Sequence, residues 1–564
     1  MTTMTGESDL APPATAPLPT AGPAARSRDD DDDDRCAVCG DHAWNYVMNA
    51  HGLTFFACEN CRLMRLHPPP SAKTLAAIEK QAGATPTFHE TSAEELARVR
   101  AYWLHLRAQL SAAAGGGSGC TPEESRVLLF SSRPEPLLQV GGELGFRHIE
   151  VFSADAALRD GGFDACLAVF ALERLADPTD GLARLHRLLR PGGRLLLVAP
   201  LLDSWPARFC RTAWPELRPE NRFYFSTHTL RTLLLRHGFH RLWFEPDRRR
   251  YSLAHLVRQA RAYPSTWLTR SLRTLGACVP ATWFDALPLP LPTSAFLLSA
   301  TKKSAPTAAR PKLSIVMPAF NEMATFEECF TAVQAKEVGD MDKEIIVVES
   351  NSRDGTRELA QRLCAGQGNV QLILQDRAAG KGNAVRAGLA AVTGDIVLIQ
   401  DADLEYDVND YDELVKPILQ GRAAFVLGSR HSGSWKLRKF NDQPLVATFF
   451  NLGHLFFCAS INWLYGQSLK DPFTMYKVFQ TDCLHGLEFE CNRFDFDFEI
   501  LIKLLRKGYQ PIELPVNYQA RSLNEGKKVT AVRDPLTWLR ALVKFRFCRI
   551  GPPREDAAAA APAP

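Results

Sequence analysis

The chain lacks most of what would place it in a membrane, in a secretory route or on nucleic acid. No run of residues reads as a convincing membrane span. The nearest, Pro444 to Tyr465, is rich in Leu and Phe but holds Asn451, His454 and Asn462, which are costly at a bilayer centre. That segment is either a core helix or a helix lying at a membrane surface. The Ala-, Pro- and Thr-rich N-terminus has no apolar stretch of the secretory kind, so a cytoplasmic chain is expected. A net charge of +3 over 564 residues gives no argument for nucleic acid. The 14 cysteines do not form a disulfide framework: four sit in CxxC pairs and the other ten are scattered, which suits a reducing compartment. There is no internal repeat, and G-x-x-x-x-G-K-[ST] is missing, which excludes a P-loop.

What remains is ordinary globular composition, 46% hydrophobic and 23% charged, with length for about three to four folded units. Residues 1–35 read as disordered and end in the acidic run Asp29 to Asp34, a solvated stretch. A small cysteine module is expected at 36–66, a helical connector at 67–125 and an α/β unit at 126–303. A linker at 304–311 leads to a second α/β unit at 312–548, and 549–564 is an Ala/Pro tail. The fold class is therefore α/β, with two Rossmann-like units in tandem behind a small metal module.

Cys36-x2-Cys39 and Cys58-x2-Cys61 lie 18 residues apart. Each CxxC turns tightly enough to present two thiolates, and two such knuckles complete a tetrahedral zinc site. Four thiolates leave no open position for water, so the site is structural and would stabilise a module too small for its own core.

In the second α/β unit, Gly394 to Asp403 reads as a buried apolar strand ending in two carboxylates one residue apart, Asp401 and Asp403. If the extended conformation continues, the two carboxylates point the same way. Hard oxygen ligands at a strand's carboxyl end suit a divalent cation that also holds phosphates. Lys312 to Glu322 reads as a buried strand, a turn and a helix start, and Lys343 to Glu349 as a second buried strand leading through a polar loop into another helix, which implies a mostly parallel sheet with ligands beyond its carboxyl ends.

Three stretches of the first unit resemble class I S-adenosylmethionine-dependent methyltransferases: Phe163 to Leu175, the turn Leu188-Leu189-Arg190-Pro191-Gly192-Gly193, and the helix Phe225 to Phe239. A zinc ribbon accompanies one branch of that family. The family's first strand runs into G-x-G-x-G, where backbone must approach the cofactor closely. Here Val127 to Phe130 is followed by Ser131-Ser132-Arg133-Pro134-Glu135, and the ribose-binding acid is displaced to Asp155. The reading is a degenerate domain kept for docking or acceptor placement, with S-adenosylmethionine binding left open.

The second unit resembles glycosyltransferase family 2, of GT-A fold, in its dolichyl/polyprenyl-phosphate mannose and glucose synthase branch. Seven ordered stretches carry the likeness: V-x-P-A-F-N-E, S-N-S-x-D-G-T, G-K-G-N-A-V-R-A-G, G-D-I-V-L-I-Q-D-A-D-L-E-Y, L-G-S-R, K-D-P-F-T-M-Y-K and R-S-x-x-E-G-K-K-V. The resemblance implies an inverting hexose transfer from a nucleotide-sugar donor to polyprenyl phosphate or a glycan precursor, with Mg²⁺ or Mn²⁺. It places Pro318, Phe320, Glu322 and Glu349 at the nucleotide, Asp354 there or at a helix cap, and Lys381 near the diphosphate. Asp403, Asp401 and Glu405 would hold the ion. Arg430, Arg521, Lys527 and Lys528 would hold phosphate, and Asp471 would be the base for a hydroxyl acceptor. Segments like Pro444–Tyr465 and Trp538–Phe547 lie against the membrane in relatives, which implies peripheral contact at its inner face. The rival readings are a bifunctional enzyme that also methylates and a non-catalytic assembly scaffold.

Overall fold

The computed structural model describes residues 35–50, 52–69, 92–112, 121–153, 158–214, 216–252, 274, 288–303, 310–431, 444–519, 533–548 and 550. Asp29 to Asp34, Asp155, Arg521, Lys527, Lys528 and most of the expected linker and tail lie outside them.

Strands β1 (Trp44–Ala50), β2 (Leu53–Cys58) and β3 (Met64–Leu66) form an antiparallel meander. Helix α1 (Ser92–Ala112) follows and buries Tyr102, Trp103 and Leu106. The next elements alternate: β4 (Arg126–Ser131), α2 (Glu135–Glu143), β5 (His148–Val151), β6 (Phe163–Val169), α3 (Pro178–Leu188) and β7 (Leu189–Pro200). Alternation forces crossover connections, and the pairs β4–β5, β4–β6 and β6–β7 are all parallel. Val127, Leu128 and Leu129 on β4 are wholly buried, each worth roughly 1.5–3 kcal/mol as area removed from water. After α4 (Trp205–Cys210), β8 (Phe223–Tyr224) and α5 (Thr227–Arg236), the long strands β9 (Phe239–Ser252) and β10 (Pro288–Lys302) close the sheet antiparallel, in the order β5-β4-β6-β7-β10-β9.

Two boundaries differ from the sequence reading. The cysteine module is not a separate unit: β8 adds to its sheet through Met64 opposite Tyr224, and Cys36, Val38, Cys58 and Leu63 share one core with β4 to β7. The connector helix is part of the same body, since Trp103 donates its indole N–H to the Leu137 carbonyl at 2.9 Å. Both contacts span sequence distances that local pattern does not encode.

The third sheet takes β11 (Lys312–Ala319), α6 (Phe326–Ala335), β12 (Asp342–Glu349), α7 (Thr356–Cys364), β13 (Val370–Leu374), α8 (Lys381–Ala390) and β14 (Ile396–Ile399). Then come α9 (Tyr411–Leu419), β15 (Phe425–Ser429), α10 (Pro444–Tyr465), β16 (Lys477–Gln480), α11 (Phe496–Arg506), β17 (Ile512–Pro515) and α12 (Arg533–Phe547). The order is β13-β12-β11-β14-β16-β15-β17, parallel from β13 to β14 and antiparallel on either side of β16. The expected mostly parallel sheet is found: only the two pairings that flank β16 are antiparallel, and β15 and β17 are parallel again. Among the described residues no helix is long and apolar enough to cross a membrane.

Candidate functional site

A cleft of about 800 Å³ opens beyond the carboxyl ends of β11 and β14, the size of a small-molecule site. Pro318, Phe320, Glu322, Lys381, Asp401, Asp403, Glu405 and Arg430 all line it, so eight residues expected from sequence meet there. The acidic pair does not sit on a strand. β14 ends at Ile399, and the carboxylates share the cleft because of a clamp behind them. Gln400, wholly buried, accepts from the hydroxyls of Tyr411 and Tyr476 at 2.7 Å each and donates to the Asp401 carbonyl at 2.9 Å. Thr325 holds the Ala402 carbonyl at 3.2 Å, and Asp403 Oδ1 accepts from the Glu405 backbone N–H at 3.1 Å. Gln400→Leu would strand the buried Tyr411 hydroxyl, whereas Tyr476 keeps the Asp407 carbonyl at 3.1 Å. Urea denaturation is expected to show a loss of roughly 1–3 kcal/mol for the orphaned group.

Charges in the cleft are set against one another. Lys381 Nζ lies 2.6 Å from an Asp401 oxygen. Burial alone would lower the ammonium, but Asp401 outweighs it and holds Lys381 above its ordinary range. Glu405 accepts from the Tyr518 hydroxyl at 2.8 Å. Carboxylate oxygens are the ligands a hard divalent cation takes and a lysine beside them suits phosphate; Asp401, Asp403 and Glu405 are not among the side chains whose ligand atoms gather within 4.8 Å of one another.

The geometry corrects two sequence expectations and selects between the alternatives of a third. Asp471 is fully buried and does not reach the cleft. Its carboxylate takes Arg430 Nη2 and Nε at 2.7 Å each and the Arg430 backbone N–H at 2.9 Å. Burial raises its pKa, but Arg430 overrides that and holds it far below the carboxylate range, so it is a poor proton acceptor. It positions Arg430, whose guanidinium also stacks 5.1 Å from the Tyr518 ring. Glu349 is turned into its own loop, accepting from Ser352 N at 2.6 Å and Arg357 Nη1 at 2.9 Å, and its neighbour Ser350 lines the cleft instead. Asp354 accepts from Thr356 N and Met323 N, both at 3.1 Å, so it closes the turn before α7 and pins the first loop.

Sequence reasoning missed Asp497, Phe473 and Trp538, which line the cleft. Asp497 opens α11 in the run Phe494-Asp495-Phe496-Asp497-Phe498, where an acid reads as a helix-start residue. Its nearest cation is the buried Lys477, at 3.9 Å, and burial raises its pKa. The aromatic alternation was the available signal: Phe473, Phe498 and Trp538 cluster with centroids 5.0–5.8 Å apart.

The four module cysteines come together as expected. Cys36 Sγ lies 3.4 Å from Cys61 Sγ, and Cys39 Sγ 3.4 Å from Cys58 Sγ, all four within 4.8 Å of one another. Sulfurs about 2.3 Å from one tetrahedral zinc stand ~3.8 Å apart, so the cluster fits that ion. His431, His454 and Asp471 also gather within 4.8 Å, but Arg430 already occupies both Asp471 oxygens.

The third sheet, parallel and then mixed, brings an acidic pair and a lysine to one cleft at the carboxyl edge of its parallel strands. Residues 314–477 match the family model for glycosyl transferase family 2, and residues 71–242 match a methyltransferase domain model. Each match covers about three tenths of the 564-residue chain. Dolichol-phosphate mannosyltransferase of Pyrococcus furiosus is 27% identical over 235 residues, covering 42% of this chain and 64% of that protein. Glycosyltransferase AglD of Haloferax volcanii is 28% identical over 268 residues, covering 44% of this chain and 40% of the relative. The chain thus spans less than two thirds of either. The solved structure of glucosyl-3-phosphoglycerate synthase from Mycobacterium tuberculosis, in complex with Mn²⁺, uridine-diphosphate-glucose and phosphoglyceric acid, is 22% identical over 42% of this chain and 80% of that one, with a TM-score of 0.31.

Proposed function

We propose that the protein is an inverting, metal-dependent hexosyltransferase that draws on a nucleotide-sugar donor and glycosylates polyprenyl phosphate or a glycan precursor. One observation carries this reading. The cleft gathers Phe320, Glu322, Lys381, Asp401, Asp403, Glu405 and Arg430 from loops more than a hundred residues apart, within the segment that matches family 2. Mg²⁺ or Mn²⁺, held by Asp403 with Asp401 and Glu405 beside it, would neutralise the leaving diphosphate. Lys381 would exchange its Asp401 partner for a diphosphate oxygen, and Arg430, fixed by Asp471, would face the other phosphate. Attack from the opposite face inverts the anomeric centre. An anionic acceptor needs little help from a base. A hydroxyl acceptor would need one, and with Asp471 sequestered the open carboxylate of the cleft is Asp497.

The names of the relatives, dolichol-phosphate mannosyltransferase and dolichyl-phosphate beta-glucosyltransferase, favour a lipid phosphate. So does the surface beside the cleft. Helix α10 buries Phe457 and Ile461 but exposes Leu452, Phe456 and Trp463, the last 84% exposed. Beside it, α12 exposes Leu536, Val543 and Phe547 (81%) next to Arg540 and Lys544, while its Trp538 lines the cleft. Helix α10 thus buries one face and exposes the other. An apolar face rimmed by basic groups suits the inner surface of an anionic membrane. Replacing Trp463 and Phe547 together by serine is expected to weaken sedimentation with anionic vesicles about tenfold or more, ~1.4 kcal/mol, with the fold unchanged.

Zinc in the cysteine cluster has a structural role in this account. Native mass spectrometry is expected to find one zinc per chain and to lose it in Cys58→Ser. That variant should also unfold several kcal/mol more easily, because Cys58 sits in the core shared with β4 to β7. The acceptor is tested by following labelled sugar from UDP-glucose or GDP-mannose into the organic phase with polyprenyl phosphate. Label in the lipid supports the phosphate acceptor, and metal-dependent donor loss without it points to a hydroxyl.

A further inference from the structure

The second sheet has the topology that binds a nucleotide cofactor, with its switch point between β4 and β6, where ligands lie outside the carboxyl ends of the strands. Side chains of this chain fill and bridge that place. Arg174, from the loop after β6, donates to Ser132 Oγ in the loop after β4 at 3.0 Å, across the switch point. The β4 loop is folded on itself by Arg133 N donating to Ser131 Oγ at 3.2 Å, and Pro134 then starts α2 where a glycine-rich turn would give access. Beside it the rings of Phe130 and Phe152 lie 4.6 Å apart. Arg184 covers Phe152 at 4.8 Å and donates to the Ser153 carbonyl at 2.9 Å. These residues do not fit S-adenosylmethionine, whose backbone cradle they replace with arginine, proline and phenylalanine.

The same unit is joined to the transferase domain by a contact built from buried charge. Arg231 on α5, 2% exposed, donates to the Lys507 carbonyl just past the end of α11, and its guanidinium lies between the rings of Tyr509 (4.1 Å) and Phe244 (4.5 Å). Gly508, at φ +89°, lets that turn close on Thr227: a Cβ there would stand 2.6 Å from the Thr227 methyl. Lys507 is itself buried and donates to the Cys483 and His485 carbonyls at 3.0 and 2.6 Å, and burial together with Arg231 pushes its ammonium down to about 7. Asp482 accepts from Arg241 N, and Lys303 pairs with Asp395 at 2.5 Å. The other end of α11 carries Asp497, on the wall of the cleft. A buried guanidinium between two rings is costly to assemble and specifies one arrangement.

We propose that the N-terminal unit is a strut rather than a methyltransferase: its cofactor crevice is closed by its own side chains, and Arg231 locks its helix α5 to the far end of the helix that walls the transferase cleft. The proposal rests on the transferase reading only for its effect on turnover, so a readout independent of turnover is included. Titrating S-adenosylmethionine into the full chain in a calorimeter is expected to give no saturable heat, and saturable micromolar binding would overturn the closed crevice. In the full chain, Arg231→Met is expected to split one cooperative thermal transition into two. It should also raise backbone hydrogen exchange across 501–509 at least tenfold and lower donor turnover while zinc content stays the same. Arg231→Lys, which keeps the charge but loses the planar stack, gives a milder variant should the first not fold, with exchange raised in the same residues. A single transition with unaltered exchange at 501–509 in a folded variant would overturn the strut. Absence of turnover in the wild type would count against the transferase reading and leave the exchange result standing.

Discussion

Asp403→Asn is expected to cut metal-dependent donor turnover by about a thousandfold, roughly 4 kcal/mol of transition-state stabilisation, while leaving the protein folded. The size follows from the role. Asp403 is 6% exposed among the residues that line the cleft, and the proposed mechanism assigns it to the ion. An amide keeps the acceptor for the Glu405 N–H, so the turn survives and stability should move by less than about 1 kcal/mol. What is lost is one unit of negative charge against a divalent cation in a half-enclosed site. Mn²⁺ titration should weaken in parallel with turnover. Retention of turnover within about tenfold would remove Asp403 from the metal site.

The second large effect is on stability. Asp471→Asn strands Arg430, whose side chain is only 9% exposed, and removing one partner of a buried ion pair costs about 3–5 kcal/mol. The pH dependence has a definite sign. Asp471 titrates far below its unfolded value of about 3.9 because Arg430 holds its charged form, so the pair's contribution is present above that value and lost as pH falls through the folded one. Urea denaturation from neutral to acid pH should show wild type losing stability as the carboxylates protonate, and Asp471→Asn starting lower with a shallower fall. Donor KM should rise in the variant because Arg430 loses its hold. Full stability with a large fall in kcat alone would return Asp471 to the role of general base that its place in K-D-P suggested.

Much of the site was legible because it is local. Pro318 lies at the end of a buried strand, Phe320 and the acidic pair follow one, and Lys381 opens a helix, and a doubly wound sheet must bring such places to one edge. The CxxC pairs were legible for the same reason: ligand spacing within a knuckle is short-range geometry. What sequence could not show is which way a loop turns. Glu349 has the right charge at the right strand end, yet Arg357, the second residue of α7, draws it inward, and a cation eight residues away has no fixed place until the helix forms. Asp471 misleads similarly, since Arg430 lies forty-one residues earlier and the pair exists only once β15 lies beside β16. Asp497 was hidden by an ordinary preference for acids at helix starts. The joining of the two units through Arg231 and Lys507, 276 positions apart, lies beyond any local pattern.

The central claim is that the cleft turns over a nucleotide sugar with a divalent cation. The direct measurement is loss of UDP-glucose or GDP-mannose in the presence of polyprenyl phosphate, with Mn²⁺ or Mg²⁺ added or chelated. The account predicts release of nucleoside diphosphate that requires the ion and is absent in Asp403→Asn. Equal turnover with the ion chelated, or no turnover of any nucleotide sugar by zinc-replete, folded protein, would contradict it and bring the assembly scaffold forward.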